Sequence, residues 1–351
     1  MADDVLVEVR DLDMAFKIKG QRGQPTMLHV LHKLSFDIGR GETLGLVGES
    51  GSGKSTAGRI LVGLFEPTGG SVKLFGRPIT GPERRANLAA VRSRLQFVFQ
   101  DPHAALNPRL RVGDSIAEPI DIAGTMSRRD RNDRVKELLE MVGLPRDSAE
   151  RFPHEFSGGQ RQRIVIARAL ALAPAFIVCD EPVSALDVSM QAQIINLLMD
   201  LQARFGLSYL FIAHDLAVVR AVTHRVAVMY AGSIVEVAPK DVLYEKPQHP
   251  YTQALLDAVP RPDPARVRPQ VIGGEVPSLL VPPPGCRFHT RCPHAMPRCR
   301  VDIPVLRETG DGRQTACHLY EGPSVIPSAA RDLPRSAHGA SSAGDPSLRS
   351  G

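Results

Sequence analysis

Three stretches of this chain carry residue types that could do chemistry. Gly48-Glu-Ser-Gly-Ser-Gly-Lys-Ser55 fits the pattern G-x-x-x-x-G-K-[ST]. Glycines let backbone N–H groups turn inward around a β-phosphate, where a Cβ would obstruct the approach. Gly48, Glu49, Ser50, Gly51, Ser52 and Gly53 would form that cradle. Lys54 would reach the β- and γ-phosphates, and the Ser55 hydroxyl would ligate Mg²⁺. The helix that follows, with Thr56 in its first turn, presents its positive end to the anion. The second stretch is Phe176-Ile-Val-Cys-Asp-Glu181, an apolar run ending in two carboxylates. In a parallel sheet the carboxyl ends of the strands face the ligand crevice. Asp180 suits Mg²⁺, directly or through water, and Glu181 suits orienting the attacking water and taking its proton. A carboxylate pair can also cap the next helix, but the phosphate loop favours the catalytic reading.

The third stretch holds Cys286, Cys292, Cys299 and Cys317, spaced C-x5-C-x6-C-x17-C. In a reducing compartment such a group points to a metal rather than to disulfides. Structural zinc sites usually contain a pair two to four residues apart, and this spacing has none. Loosely spaced thiolates suit an iron–sulfur cluster better, with zinc second and unliganded cysteines last. His289, His294 and His318 could serve the zinc alternative. Cys179, inside an apolar run, reads as an inert core residue.

These residues need a scaffold. Residues 4–10 alternate apolar and polar, as a half-buried strand does, and His29–Ile38 reads the same way. Glu42–Gly48 gives a short buried strand running into the glycine loop, and Ser55–Leu64 has helical potential. Arg94–Phe99, Phe176–Cys179, Leu207–Ala213 and Arg225–Tyr230 are further strands. Arg128–Val142, Gln160–Leu172 and Val188–Phe205 read as helices. Strands alternating with helices imply an α/β layered domain with a mainly parallel core sheet.

Composition narrows the class. Of 351 residues 43% are apolar and 23% charged, as in an ordinary globular protein. A net charge of +5 does not indicate nucleic acid. The longest apolar run, Ala169–Cys179, contains Pro174 and falls short of the roughly 20 residues that span a bilayer. The amino terminus, Met1-Ala-Asp-Asp, lacks a signal pattern. The expectation is a cytoplasmic protein whose membrane role, if any, comes through a partner. After about residue 245 proline and arginine become frequent. Residues 321–351 are Ser, Ala, Gly, Pro and Arg with few large apolar side chains, which reads as a disordered tail.

Between the loop and the carboxylates lies Phe156-Ser-Gly-Gly-Gln160. With both of those it resembles the signature motif of ABC ATPases, with Phe where Leu is usual. Gln100 looks like the glutamine-loop residue, Ser184-Ala-Leu-Asp187 like the dimer-contact loop, His214 like the switch histidine, and Phe16 like the aromatic that stacks on adenine. The resemblance covers residues 4–245. It implies an ATPase of P-loop type with a mainly parallel core sheet, an antiparallel β subdomain and a helical subdomain at 101–155. Glu181, His214 and Gln100 would be catalytic, and Gln100 with Ser55 and Asp180 would serve Mg²⁺. The resemblance also implies a head-to-tail dimer, in which Ser157, Gly158, Gly159, Gln160 and Asp187 of one subunit face the ATP held by the other.

Gln100–Arg109, Met229–Glu236 and Lys246–Pro260 resemble the oligopeptide/dipeptide importer branch. That implies a Cys-containing extension at 246–320, and the resemblance also points to a [4Fe–4S] site there. It implies two membrane permeases, an extracytoplasmic substrate-binding protein and a second ATPase, identical or homologous, on the cytoplasmic face of the membrane, with no nucleic-acid partner. Dipeptides, oligopeptides, nickel chelates and glutathione all remain open as cargo. The competing reading is a soluble ABC ATPase acting on nucleic acid or ribosomes through a zinc-type module. It lacks the long coiled-coil insertion or paired ATPase halves usual there.

Overall fold

The computed structural model describes residues 5–19, 24–258, 273–274 and 277–321. The terminal tail beyond 321 and most of the proline- and arginine-rich stretch therefore lie outside the described residues. Residues up to His318 cluster as one compact unit, and only Leu319–Glu321 of the remainder are described.

The chain opens with the long strands β1 (Val5–Lys19) and β2 (Pro25–Gly39), followed by β3 (Thr43–Val47) and α1 (Lys54–Leu61). Next come β4 (Gly69–Leu74), β5 (Arg77–Pro78), α2 (Arg84–Val91) and β6 (Leu95–Val98). A run of helices follows: α3 (Pro102–Ala105), α4 (Val112–Ala123), α5 (Arg128–Met141) and α6 (Gly158–Ala169). Then strands and helices alternate as β7 (Phe176–Asp180), α7 (Val188–Phe205), β8 (Ser208–Ala213), α8 (Leu216–Val222) and β9 (Arg225–Tyr230). The last elements are β10 (Ser233–Pro239), α9 (Lys240–Glu245), α10 (Pro250–Asp257), β11 (Arg307–Gly310) and β12 (Arg313–Thr315).

Two sheets result. The smaller runs β2-β1-β4-β5 and is antiparallel throughout. The larger runs β11-β12-β10-β9-β3-β8-β7-β6. Its stretch from β9 to β6 is parallel, and β10, β12 and β11 add antiparallel pairs. β3, β7 and β8 are buried at every residue, which is why they read as unbroken apolar runs. The expected α/β architecture is present, with its helical part at 102–169 and its antiparallel β part at the amino terminus.

Parallel pairing fixes the geometry that matters. The carboxyl ends of β3, β6, β7 and β8 all emerge at one edge, so the residues after Val47, Val98, Cys179 and Ala213 open together. The β9–β10 hairpin supports that edge. Its two-residue turn, Ala231-Gly232, has φ of 44° and 88°, the pair of positive values a twisted hairpin prefers. Gly232 must be glycine on a second count, because a Cβ there would lie 2.5 Å from the Val30 carbonyl oxygen. The extension is not a loose appendage: β12 pairs with β10 through Glu236↔Thr315 and Val237↔Gln314.

Candidate functional site

The loop between β3 and α1 folds as its glycines allow. Gly48 and Gly53 adopt φ of 152° and 101°. A Cβ on Gly48 would lie 2.1 Å from the Met229 oxygen, and one on Gly53 2.8 Å from the Val30 oxygen. Glycine is thus demanded by β9 and β2 pressing from behind as well as by a phosphate in front. The Gly232 N–H donates to the Ser52 carbonyl at 2.9 Å, which ties the loop to the hairpin turn.

Lys54 lies buried at the start of α1. Its Nζ donates to the Gly48 and Glu49 carbonyls at 2.8 and 2.9 Å and to Ser52 Oγ at 3.4 Å. Burial holds its pKa below the ordinary lysine value, against the pull of Glu181, Asp180 and Glu49. A triphosphate entering here would replace loop oxygens around an ammonium that is short of water. The Ser55 hydroxyl donates to Asp180 Oδ1 at 2.7 Å. Burial raises the Asp180 pKa, partly opposed by the Ser55 hydrogen bond and by Arg59.

Glu181 follows Asp180 with φ 48°, a left-handed conformation that costs a non-glycine residue roughly 1 kcal/mol or more. Its N–H donates to the Ile212 oxygen at 2.9 Å, and its own carbonyl accepts from the Ser184 hydroxyl at 3.1 Å. The turn aims the carboxylate at two groups from other strands. Gln100 Nε2 donates to Glu181 Oε2 at 2.9 Å, and His214 Nδ1 lies 3.3 Å from the same oxygen. Lys54, Ser55, Thr56, Gln100, Glu181 and His214 line one open groove of about 670 Å³ with Ser50, Gly51 and Gly53.

This arrangement can hold a metal–triphosphate. Magnesium is usually bound by one or two carboxylates plus substrate phosphates, so the Ser55–Asp180 pair suffices without a full protein cage. Glu181, held by Gln100 and His214, is placed to take a proton from a water.

Other expected site residues lie elsewhere. Ser157 caps α6, accepting from the Gln160 N–H at 3.3 Å while Gln160 Oε1 accepts from the Ser157 N–H at 2.9 Å. Ser157 and Gln160 are exposed, and Gly159 lies buried against Met190. Asp187 caps α7, accepting from the Met190 N–H at 2.8 Å, and this bond holds its pKa down. None of Ser157, Gly158, Gly159, Gln160 and Asp187 lines the groove. Phe16 packs edge-on against Phe65, with ring centroids 5.5 Å apart, and is not in the groove lining either. Leu28, its partner across β1 and β2, is.

The four cysteines are gathered only in part. The Cys286 N–H donates to the Cys299 oxygen at 2.9 Å, and Cys286, Cys292 and Cys299 lie close enough to act electrostatically on one another. Burial, reinforced by those neighbours, pushes the Cys286 thiol up to about 11. Yet among the described residues no three or more His, Cys, Asp or Glu side chains converge on a metal-ion position. His318, one of the zinc alternatives, sits instead with Nε2 3.0 Å from the Asp302 oxygen.

Sequence reasoning also missed what holds the loop from outside. Glu49 is gripped by Tyr251 and Arg291 of the extension. Leu279, also of the extension, lines the groove. No spacing rule links Glu49 to a residue so distant in sequence.

Comparisons with known proteins agree with this geometry. A model of ABC transporters matches residues 31–184, and one of the oligopeptide/dipeptide transporter C-terminal region matches residues 235–299. A relative in Brucella abortus, named a peptide import ATP-binding protein, is 62% identical over 89% of this chain and 92% of its own length. A peptide ABC transporter ATP-binding protein of Sinorhizobium fredii is 51% identical over 90% of each chain. Among solved structures, a dimeric ATP-binding cassette bound to ADP and Pi superposes with TM-score 0.59 at 30% identity, covering 67% of this chain and 99% of that one. A component of the cbiONQ transporter complex of Clostridium perfringens gives TM-score 0.59 at 26% identity, covering 70% and 92%.

Proposed function

This chain belongs to the ABC transporter family of ATPases and to its oligopeptide/dipeptide branch, and from that premise we propose that it powers import of peptides through a pair of membrane permeases. ATP hydrolysis is its reaction. The observation that carries the reading is the meeting of Lys54, Ser55 and the Gln100–Glu181–His214 group in one groove, with Asp180 bonded to Ser55 behind it.

The groove's own residues divide the work. The loop N–H groups and Lys54 bind the phosphates. Ser55 and Asp180 would hold Mg²⁺, which would supply charge neutralisation. Glu181 accepts the water's proton, while Gln100 and His214 fix its carboxylate. Phosphoryl transfer asks mainly for such positioning and charge stabilisation. The exposed α6 start, with Ser157, Gly158, Gly159 and Gln160, and the loop at Asp187 are assigned to a second ATPase subunit's nucleotide. Their place outside this groove supports that assignment, as does the dimeric state of a structural relative. Phe16 is assigned to the adenine, next to Leu28.

No helix among the described residues is long and apolar enough to cross a membrane. The groove between Gln100–Ala105 and Arg168 is where one of the permeases would press on the helical part. An extracytoplasmic binding protein would choose the peptide. The [4Fe–4S] assignment to Cys286, Cys292, Cys299 and Cys317 rests on spacing and on the nearness of three of them. Iron and acid-labile sulfide in anaerobically purified protein decide it.

The test is reconstitution with the permease pair in vesicles. Peptide uptake should require ATP and vanish with Glu181→Gln. Uptake that persists in that variant, or purified protein that brings down ribosomes and no membrane proteins, sinks the reading.

A further inference from the structure

Glu49, the second residue of the phosphate loop, is held from outside the loop on its main chain and its side chain. Its N–H donates to Tyr251 Oη at 2.9 Å. Its carboxylate receives both arms of Arg291, Nη1 to Oε2 at 2.8 Å and Nη2 to Oε1 at 3.0 Å. Such a fork fixes a carboxylate in direction as well as distance, which a lysine cannot do. The Arg291 side chain is only 5% exposed and that of Glu49 24%, so water screens the pair poorly. A further bond runs from Arg291 Nη1 to Tyr230 Oη at 3.2 Å. Tyr230, Tyr251 and Phe288 pack together behind it, with ring centroids 4.6 to 5.4 Å apart. On the other side the Glu49 carbonyl accepts from Lys54 Nζ. An unbroken run of contacts therefore joins the cysteine segment, where Arg291 lies between Cys286 and Cys292, to the lysine that meets the phosphates.

We propose that Arg291 is a positioning residue for the phosphate-binding loop, and that through it the C-terminal extension sets the loop's affinity for nucleoside triphosphate. Two effects act in the same direction. The fork, with the Tyr251 hydroxyl, pins the peptide whose carbonyl orients Lys54. The guanidinium also neutralises a carboxylate that would otherwise face an incoming polyanion. Without Arg291, Glu49 would be left as a partly buried, unpaired anion beside the phosphates, the costly way to break such a pair.

The experiment measures binding of a fluorescent ATP analogue, steady-state ATPase parameters and thermal melting on the full chain. Arg291→Gln should weaken ATP binding about tenfold or more, raising KM with kcat changed less than about threefold. Glu49→Gln combined with Arg291→Gln removes the stranded charge and should recover most of that loss, to within about threefold of wild type. A merely structural arginine would not be rescued by deleting its partner. Arg291→Lys keeps the charge and loses the fork, and should weaken binding about threefold. It carries the test should Arg291→Gln not fold. Wild-type affinity in Arg291→Gln or in Arg291→Lys, or a double variant as weak as Arg291→Gln, overturns the proposal. The proposal rests on ATP as the loop's ligand. Loss of binding in Lys54→Ala with none in Arg291→Gln would remove it and leave the ATPase reading standing.

Discussion

At the groove, residues from distant parts of the chain meet: Ser55 bonds Asp180, Gln100 and His214 both reach Glu181, and Lys54 lines the same groove. In the extension, four cysteines lie near one another in sequence, and their side chains do not converge on a metal position among the described residues. The difference lies in what carries each set. Gln100, Asp180, Glu181 and His214 sit at the ends of parallel strands, Lys54 and Ser55 open α1 beyond the loop after β3, and backbone pairing such as Val47↔Ala213 and Val98↔Cys179 fixes where each strand stops. The cysteines sit on turns and short segments, where proximity along the chain does not set side-chain direction. Rigid elements aim side chains, and loops merely carry them.

Several measurements would break or sharpen that contrast. The largest effect is expected at the carboxylate the strand ends aim. Glu181→Gln should lower turnover by about 10³-fold with ATP binding kept, since it removes the proton acceptor alone. Near-normal turnover would mean the convergence is not catalytic. Next, Lys54→Ala should weaken ATP binding by roughly 30- to 100-fold through loss of a charged hydrogen bond, as read by equilibrium nucleotide titration.

A pH effect follows. His249 is fully buried, and its pKa is lowered to about 3 by that burial. Its Nδ1 accepts from the Tyr251 N–H at 3.0 Å, capping α10. The unfolded chain would bind a proton near 6.5 that the folded chain refuses. Stability is therefore full above pH 6.5 and falls as pH drops toward 3, by at most about 1.4 kcal/mol per pH unit. Denaturant melts from pH 4.5 to 7.5 should show this slope, and His249→Asn, which keeps a capping acceptor, should flatten it. The same slope in the variant would assign it elsewhere. The smallest effect is expected at the cysteines. Cys292→Ser should leave turnover within about twofold and shift Tm by about 2 °C or less. A large drop, or iron retained by wild type and lost here, would overturn the contrast by showing that these thiols converge after all.

Much of the scaffold was legible. β3, β7 and β8 announce themselves as unbroken apolar runs because both their faces are covered, and α7 is readable because its apolar residues keep helical spacing. α4 was not read as a helix. It contains Pro119, yet buries Val112, Ile116 and Ile120 along one face and ends on Gly124 at φ 63°. Packing against α6 outweighs the proline's local cost there. β11 and β12 are too short to show any period, and they exist as strands because β10 offers an open edge.

The phosphate loop could be read from sequence alone because its chemistry is local. A few adjacent residues set both the backbone turn and the groups facing the ligand. The order Gln100, Asp180–Glu181, His214 was likewise visible, as a succession of motifs. That one Glu181 oxygen is shared by Gln100 and His214, that Glu181 must turn left-handed to reach them, and that Arg291 grips the loop from the far end of the chain are tertiary facts. They depend on which strands become neighbours and where each ends. That is settled by pairing and burial between segments far apart in sequence, which no local spacing encodes.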